Sequence, residues 1–213
     1  FDVSTLDGFA AFKRADLAAA GALLEYLDDT QKGNLPRLLP PKRLSTEGTM
    51  MIDAATRRSL ELVRTQSGET AGSLLATIDR TVTGAGARLL AKRLSAPLTD
   101  PIRINERLDC VEHLHTRPGL RADLRETFKG APDMGRALAR LSLGRAGPRD
   151  LAAIREGLKA SGTVQGLLSG PKGVLDEVPM LIVEAHEDLG NHETVIDELA
   201  RAIVEEPPLL ARD

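Results

Sequence analysis

A chain of 213 residues with 42% hydrophobic but only 2% aromatic side chains must build its core from Leu, Ile, Val and Ala, which favours helix-on-helix packing over a sandwich or barrel. Its net charge of −3 and pI of about 5.9 exclude a domain that holds nucleic acid through a basic bulk field, so any DNA contact is local or made elsewhere. A single cysteine, Cys110, excludes an internal disulfide. No stretch approaches the ~18 consecutive apolar residues of a membrane span. No signal peptide opens the chain, which predicts a cytoplasmic setting, and Phe1 in place of Met suggests a piece of a longer protein.

After a short apolar-polar opening, Ala15, Leu17, Ala18, Gly21, Leu23, Leu24 and Leu27 predict an amphipathic helix. From Asp28 to Pro41 the composition changes, with Gly33, Asn34, Pro36 and Pro40-Pro41, and predicts an irregular linker. Thr49–Asp53 reads as a short strand, after which Asp53 caps a helical turn over Ala54–Arg58. Leu60–Val63 alternates enough for a second short strand, with a helical continuation as the other reading. Leu74, Leu75, Ile78 and Val82 recur at helical spacing. Thr83 then caps a helix carrying Ala85, Leu89 and Leu90, which Ser95-Ala96-Pro97 breaks. Asp100-Pro101 supplies the cap and first position of the next helix, where Ile104, Leu108, Val111 and Leu114 form one apolar stripe.

Pro118 starts a helix with Leu120, Leu124 and Phe128. Asp133–Leu143 carries Met134, Leu138 and Leu141. Pro148 restarts the chain for a helix presenting Leu151, Ile154 and Leu158, broken by Ser169-Gly170-Pro171. Pro179–Leu189 and His192–Glu205 complete a series of eight or nine helices. No fixed-period repeat points to a solenoid. The expected fold class is all-α, an irregular multi-helix bundle with one or two very short strands near residues 49–63.

Motifs for chemistry are missing. No GxxxxGK[ST] loop occurs, and Gly84-Ala85-Gly86 begins a GxGxxG pattern that ends on Leu89; a glycine-rich helix start fits better. His113 and His115, two apart on a helix, point to different faces and read as surface histidines, while His186 lacks metal-site spacing. No catalytic residue, metal ligand or cofactor-binding residue is assigned. Three charged groups stand out. Arg88, Lys92 and Arg93 share a helix, with Arg88 and Lys92 on one side; they form either a solvated face or a contact for DNA phosphate or a neighbouring domain. Asp53 with Arg57 and Arg58 forms a cap, an ion pair or a docking point. Arg145 with Arg149 and Asp150 flanks a helix junction and fixes its angle.

The order of several segments carries a resemblance. Residues Ile52–Leu62, Gly72-Ser73-Leu74-Leu75, Ile78-Asp79-Arg80-Thr81-Val82-Thr83, Arg88-Leu89-Leu90, Pro97-Leu98 and Arg107-Leu108-Asp109 resemble the core (lever) domain of the MutS family of DNA mismatch-repair ATPases. Leu141–Ala146, Pro148–Leu151 and Glu206–Leu209 extend the likeness over nearly the whole chain. The resemblance implies that residues 1–30 hold the last helix of a connector domain, 31–44 a linker, and 45–213 the first part of the lever. It further implies a parent protein that recognises mispaired bases in duplex DNA as a homodimer. That parent would bind ATP and Mg²⁺ in an ATPase domain beyond this segment and work with a MutL-type partner. The lever would couple the ATPase domain to the DNA clamp and carry no reaction of its own. The alternative, from a different class, is a free-standing all-α scaffold that binds partner proteins.

Overall fold

The computed structural model describes residues 12–32, 38, 48–169 and 178–208. The opening of the chain, most of the expected linker, the break at Gly170-Pro171 and the end from Leu209 lie outside the described residues. Ten helices are present among the described residues: α1 Arg14–Gln31, α2 Ala54–Ser59, α3 Leu74–Ile78, α4 Gly84–Ser95, α5 Pro101–His115, α6 Pro118–Gly130, α7 Met134–Ser142, α8 Pro148–Ser169, α9 Met180–Asp188 and α10 Glu193–Ala202. The class is all-α.

Local chemistry sets most of the starts. Asp53, Ser73, Thr83, Asp100 and Asp133 each accept a backbone N–H from the first turn of the helix that follows. Each satisfies a donor that the helix itself leaves unpaired. Pro101, Pro118 and Pro148 occupy first helical positions, where a missing N–H has no consequence.

The strands shrink to one bridge. Thr49 faces Leu98 in an antiparallel pair, held by Met50 N–H to the Pro97 carbonyl at 2.8 Å and Thr99 N–H to the Gly48 carbonyl at 2.9 Å. Asp53 turns the chain into α2 before the pairing can lengthen. Leu60–Val63 forms no strand. The Glu61 and Leu62 carbonyls instead accept the first N–H groups of α3, from Leu74 at 3.0 Å and Leu75 at 2.9 Å. Glu61 adopts a left-handed φ of 49° to turn there. α3 also stops at Ile78, short of Val82, because the Asp79 carboxylate accepts the Thr81 N–H at 2.8 Å and its hydroxyl at 2.7 Å, folding the chain into a turn.

Helix α8 is the hub: α6, α7, α9 and α10 all pack on it, and α5 packs on α6 and α9. Its buried face carries Ala152, Ile154, Arg155, Gly157 and Val164. α1 buries no residue and runs four residues past Leu27; among the described residues Arg145 reaches it through a hydrogen bond to Gln31 at 3.3 Å.

The stripe on α5 is divided. Ile104 and Leu114 are half-buried, whereas Leu108 and Val111 are 56% and 63% exposed. Instead, α5 buries His113. Periodicity identified an apolar face but not what covers it. Only seven hydrophobic side chains are buried among the described residues, while nineteen large ones are exposed, Leu89, Ile102, Leu108 and Val111 among them.

Candidate functional site

Helix α4 begins at Thr83, whose Oγ1 accepts the Gly86 N–H at 3.0 Å. A Cβ on Gly86 would sit 2.9 Å from that oxygen, so this glycine makes room for the cap and the pattern is a helix start. Of the three cations on α4, Arg88 is engaged: its Nη2 lies 2.9 Å from Asp133 Oδ2. Asp133 also pairs with Arg136 at 3.4 Å. The Arg88 hydrogen bond, above all, holds the Asp133 carboxyl below its ordinary range. Arg88 thus ties α4 to the start of α7. Lys92 and Arg93 are exposed. Burial first, and then the charges of Arg93 and Arg103, push the Arg107 guanidinium on α5 below its usual value. Sequence reading missed Arg103 and Arg107. Their spacing of four on α5 was the available signal.

Asp53 caps α2 without pairing to either arginine behind it. Its carboxylate accepts from Ala55 N–H and Thr56 N–H at 2.9 Å each and from the Thr56 hydroxyl at 2.6 Å. The Thr56 hydroxyl contributes most to holding it below the ordinary carboxylate range. Arg57 Nη2 donates to the Ile52 carbonyl at 3.3 Å and the Ser95 carbonyl at 3.2 Å, joining α2 to the end of α4. Its Nε is enclosed without a protein acceptor among the described residues. Arg58 is exposed. With Arg64 these two line an open basin of about 630 Å³ beside the 64–68 loop.

The α7–α8 junction separates the three residues grouped there. Asp150 pairs with Arg140 and accepts the Gly147 N–H at 3.0 Å, and the Arg140 contact is the main reason its carboxyl is held low. Arg149 Nε points to the Pro207 carbonyl at 3.2 Å. Arg145 reaches α1 as described. Asp150 therefore fixes the junction, while the two arginines attach distant segments to it. Arg155, not singled out from the sequence, is 4% exposed and donates to the Ile203 carbonyl at 3.1 Å and the Glu205 carbonyl at 3.3 Å.

The profile of MutS domain III matches residues 55–213. The chain belongs to the MutS domain III family. It is 54% identical over all 213 residues to the DNA mismatch repair protein MutS of Paracoccus denitrificans, and covers 24% of that protein. Over 214 aligned residues it is 51% identical to the MutS of Rhodopseudomonas palustris and 48% identical to that of Rhizobium meliloti, covering 23% of each. The chain thus spans about a quarter of the length of the curated relatives it matches.

Two further side chains of this domain III bear on what it does chemically. His113, expected at the surface, is 7% exposed; burial first, and the charge of Arg117 next, push its imidazole below the ordinary value. It is therefore held neutral in the fold. The unfolded imidazole, near pH 6.5, takes a proton first as pH falls, so this contribution to stability is present above about 6.5 and is lost below it. Urea midpoints measured at about pH 7.5 and 5.5 should show the loss, and His113→Gln should reduce it; an unchanged slope in that variant would remove His113 as the cause. Cys110 is a free, half-buried thiol, and burial raises its pKa, which makes it a weak nucleophile. Among the described residues no group of three or more His, Cys, Asp or Glu side chains is placed to hold a metal. No described helix is long and apolar enough to cross a membrane.

Proposed function

We propose that this domain III segment works as a stiff lever inside a cytoplasmic mismatch-repair ATPase, passing nucleotide state to the DNA clamp and DNA state back, and catalysing nothing itself. In this reading residues 1–30 end a connector domain, 31–44 link it, and 45–213 form the lever's first part. ATP and Mg²⁺ belong to another domain. Mismatched duplex DNA, a second copy and a MutL-type protein are the partners of the whole. Arg88, Lys92 and Arg93 of α4 are its candidate contacts to DNA or to a neighbouring domain, with Lys92 and Arg93 exposed and Arg88 also paired to Asp133.

The observation that supports this most is the exposed apolar surface of α4 and α5. Leu89 is 47%, Ile102 70%, Leu108 56% and Val111 63% exposed. A stand-alone scaffold of this size would bury most such side chains, and Leu108 and Val111, three apart on α5, share one exposed face that can serve as a contact surface. Helices packed on a common hub shift as stiff bodies between discrete arrangements, and coupling through them is reciprocal in binding free energy.

Because Leu108 faces outward here, Leu108→Glu opens no cavity in the bundle and tests the relay separately from the fold. In the full gene product it should leave the thermal midpoint nearly unchanged and cut mismatch-stimulated nucleotide exchange by about 5- to 150-fold, the usual range for a coupling of this kind. Normal exchange in the folded variant would end the lever reading.

A further inference from the structure

Arg57, Arg58 and Arg64 line one open basin, and among the described residues none of them is paired with a carboxylate. Arg57 and Arg58 stand in the last turn of α2. Arg64 opens the facing loop, where its Nη1 donates to the Gly68 carbonyl at 2.9 Å. All three line the basin of about 630 Å³, together with Ile52, Ala54 and Val63. Elsewhere Arg88, Arg136, Arg140 and Arg155 are each paired with an acid, while Arg121 and Arg125 donate to backbone carbonyls without lining this basin. Among the described residues Arg57 and Arg64 bond only to backbone carbonyls, Arg57 Nε has no acceptor at all, and Arg58 is exposed.

We propose that this basin receives an acidic peptide segment of a partner protein, with Arg58 and Arg64 binding its carboxylates. Guanidinium forks match carboxylates and phosphates alike, so other features decide between them. The space is far larger than one oxyanion fills, and its aliphatic wall suits the stems of peptide side chains. Asp53, Glu61 and Glu69 lie beside the basin in the chain, and the net charge is −3. Such surroundings oppose a continuous run of DNA phosphates, which calls for an extended basic surface. They tolerate a peptide whose acids are spaced by apolar residues. This inference stands apart from the lever reading, since the basin could bind a partner whether or not α5 relays a signal.

The test is fluorescence anisotropy with the full gene product and a labelled peptide alternating leucine with glutamate. Saturable binding is expected, weakened by salt as partly exposed ion pairs are and absent for the same peptide with glutamine replacing glutamate. Arg58→Gln should weaken binding by about 10-fold or more without moving the thermal midpoint, because Arg58 holds nothing in the fold. The Arg58→Gln, Arg64→Gln pair should abolish it. Failure of the wild-type protein to bind, or binding indifferent to Arg58, overturns the proposal. A short DNA duplex that displaces the peptide and is itself weakened by Arg58→Gln would also overturn it and assign the basin to nucleic acid.

Discussion

Replacing Gly157 by alanine lowers the thermal midpoint by about 2–12 °C, opposite in sign to the usual effect of that change inside a helix. An unhindered mid-helix Gly→Ala substitution gains up to about 1 kcal/mol, because glycine gives up the most backbone freedom on folding. Gly157 is buried in α8 and faces Met134 at the start of α7. A Cβ there would collide with Met134 Cγ and Sδ, and Cγ sits near the backbone, where the side chain has little room to yield. Overpacking of this kind costs about 1–3 kcal/mol, and each kcal/mol moves the midpoint of a domain this size by about 2–4 °C. Adding Met134→Ala to Gly157→Ala should recover part of the loss, since the two positions share one contact. Met134 and Gly157 also border an apolar cavity of about 220 Å³. If alanine raised the midpoint, Met134 would have swung into that space, and the close α7–α8 approach would not be what makes position 157 glycine.

The helix starts were legible because their chemistry is local. Asp53, Thr83 and Asp100 sit within three residues of the N–H groups they cap, and Pro101, Pro118 and Pro148 mark first turns by the donor they lack. What escaped sequence reading lies at long range. Arg155 finds its acceptors about fifty residues downstream, and Arg88 finds Asp133 forty-five residues away; neither partner can be chosen from spacing. Leu108 and Val111 were readable as apolar and helical. Their exposure was not, since a periodic stripe has the same form whether it meets the bundle or another surface. His113 reads as a surface histidine from its spacing to His115, yet α5, which packs on α6 and α9, buries it. The early end of α10 has a similar cause. Its apolar period continues past Ala202, but Ile203 turns extended (φ −134°, ψ 131°), and its carbonyl and that of Glu205 go to Arg155. Among the candidate residues, Asp53 was readable as a cap. The effect of Arg93 on Arg107 was not, because the two stand on different helices.

Loss of the Arg155 side chain should release the segment after α10 and destabilise the chain by about 2–4 kcal/mol. One buried guanidinium holds three acceptors: the Ile203 and Glu205 carbonyls and, through Nε at 2.7 Å, the Glu156 carboxylate. Glu156 is shared with Lys159 at 3.1 Å, and the Arg155 contact is the first reason its carboxyl is held low. Hydrogen bonds from a charged donor contribute about 1.5–3 kcal/mol each, and removing one member of a largely buried pair costs about 3–5 kcal/mol. Glu156 is half-exposed and can return to water, which brings the expectation toward the lower end. Arg155→Ala should therefore lower the urea midpoint and, more tellingly, raise amide exchange in the last turn of α10, where the Ile203 N–H is bonded to the Leu199 carbonyl at 3.1 Å. Arg155→Lys keeps the charge but loses the fork that spans two carbonyls, so exchange there should rise while overall stability falls less. Arg149, whose Nε reaches the Pro207 carbonyl, makes the second attachment, and Arg149→Ala should loosen the chain beyond Glu205 while leaving α10 protected. If Arg155→Ala left exchange in α10 unchanged, α8–α10 packing alone would hold this end. The Arg155 contacts would then follow from that packing and would not fix the direction in which the chain leaves the bundle.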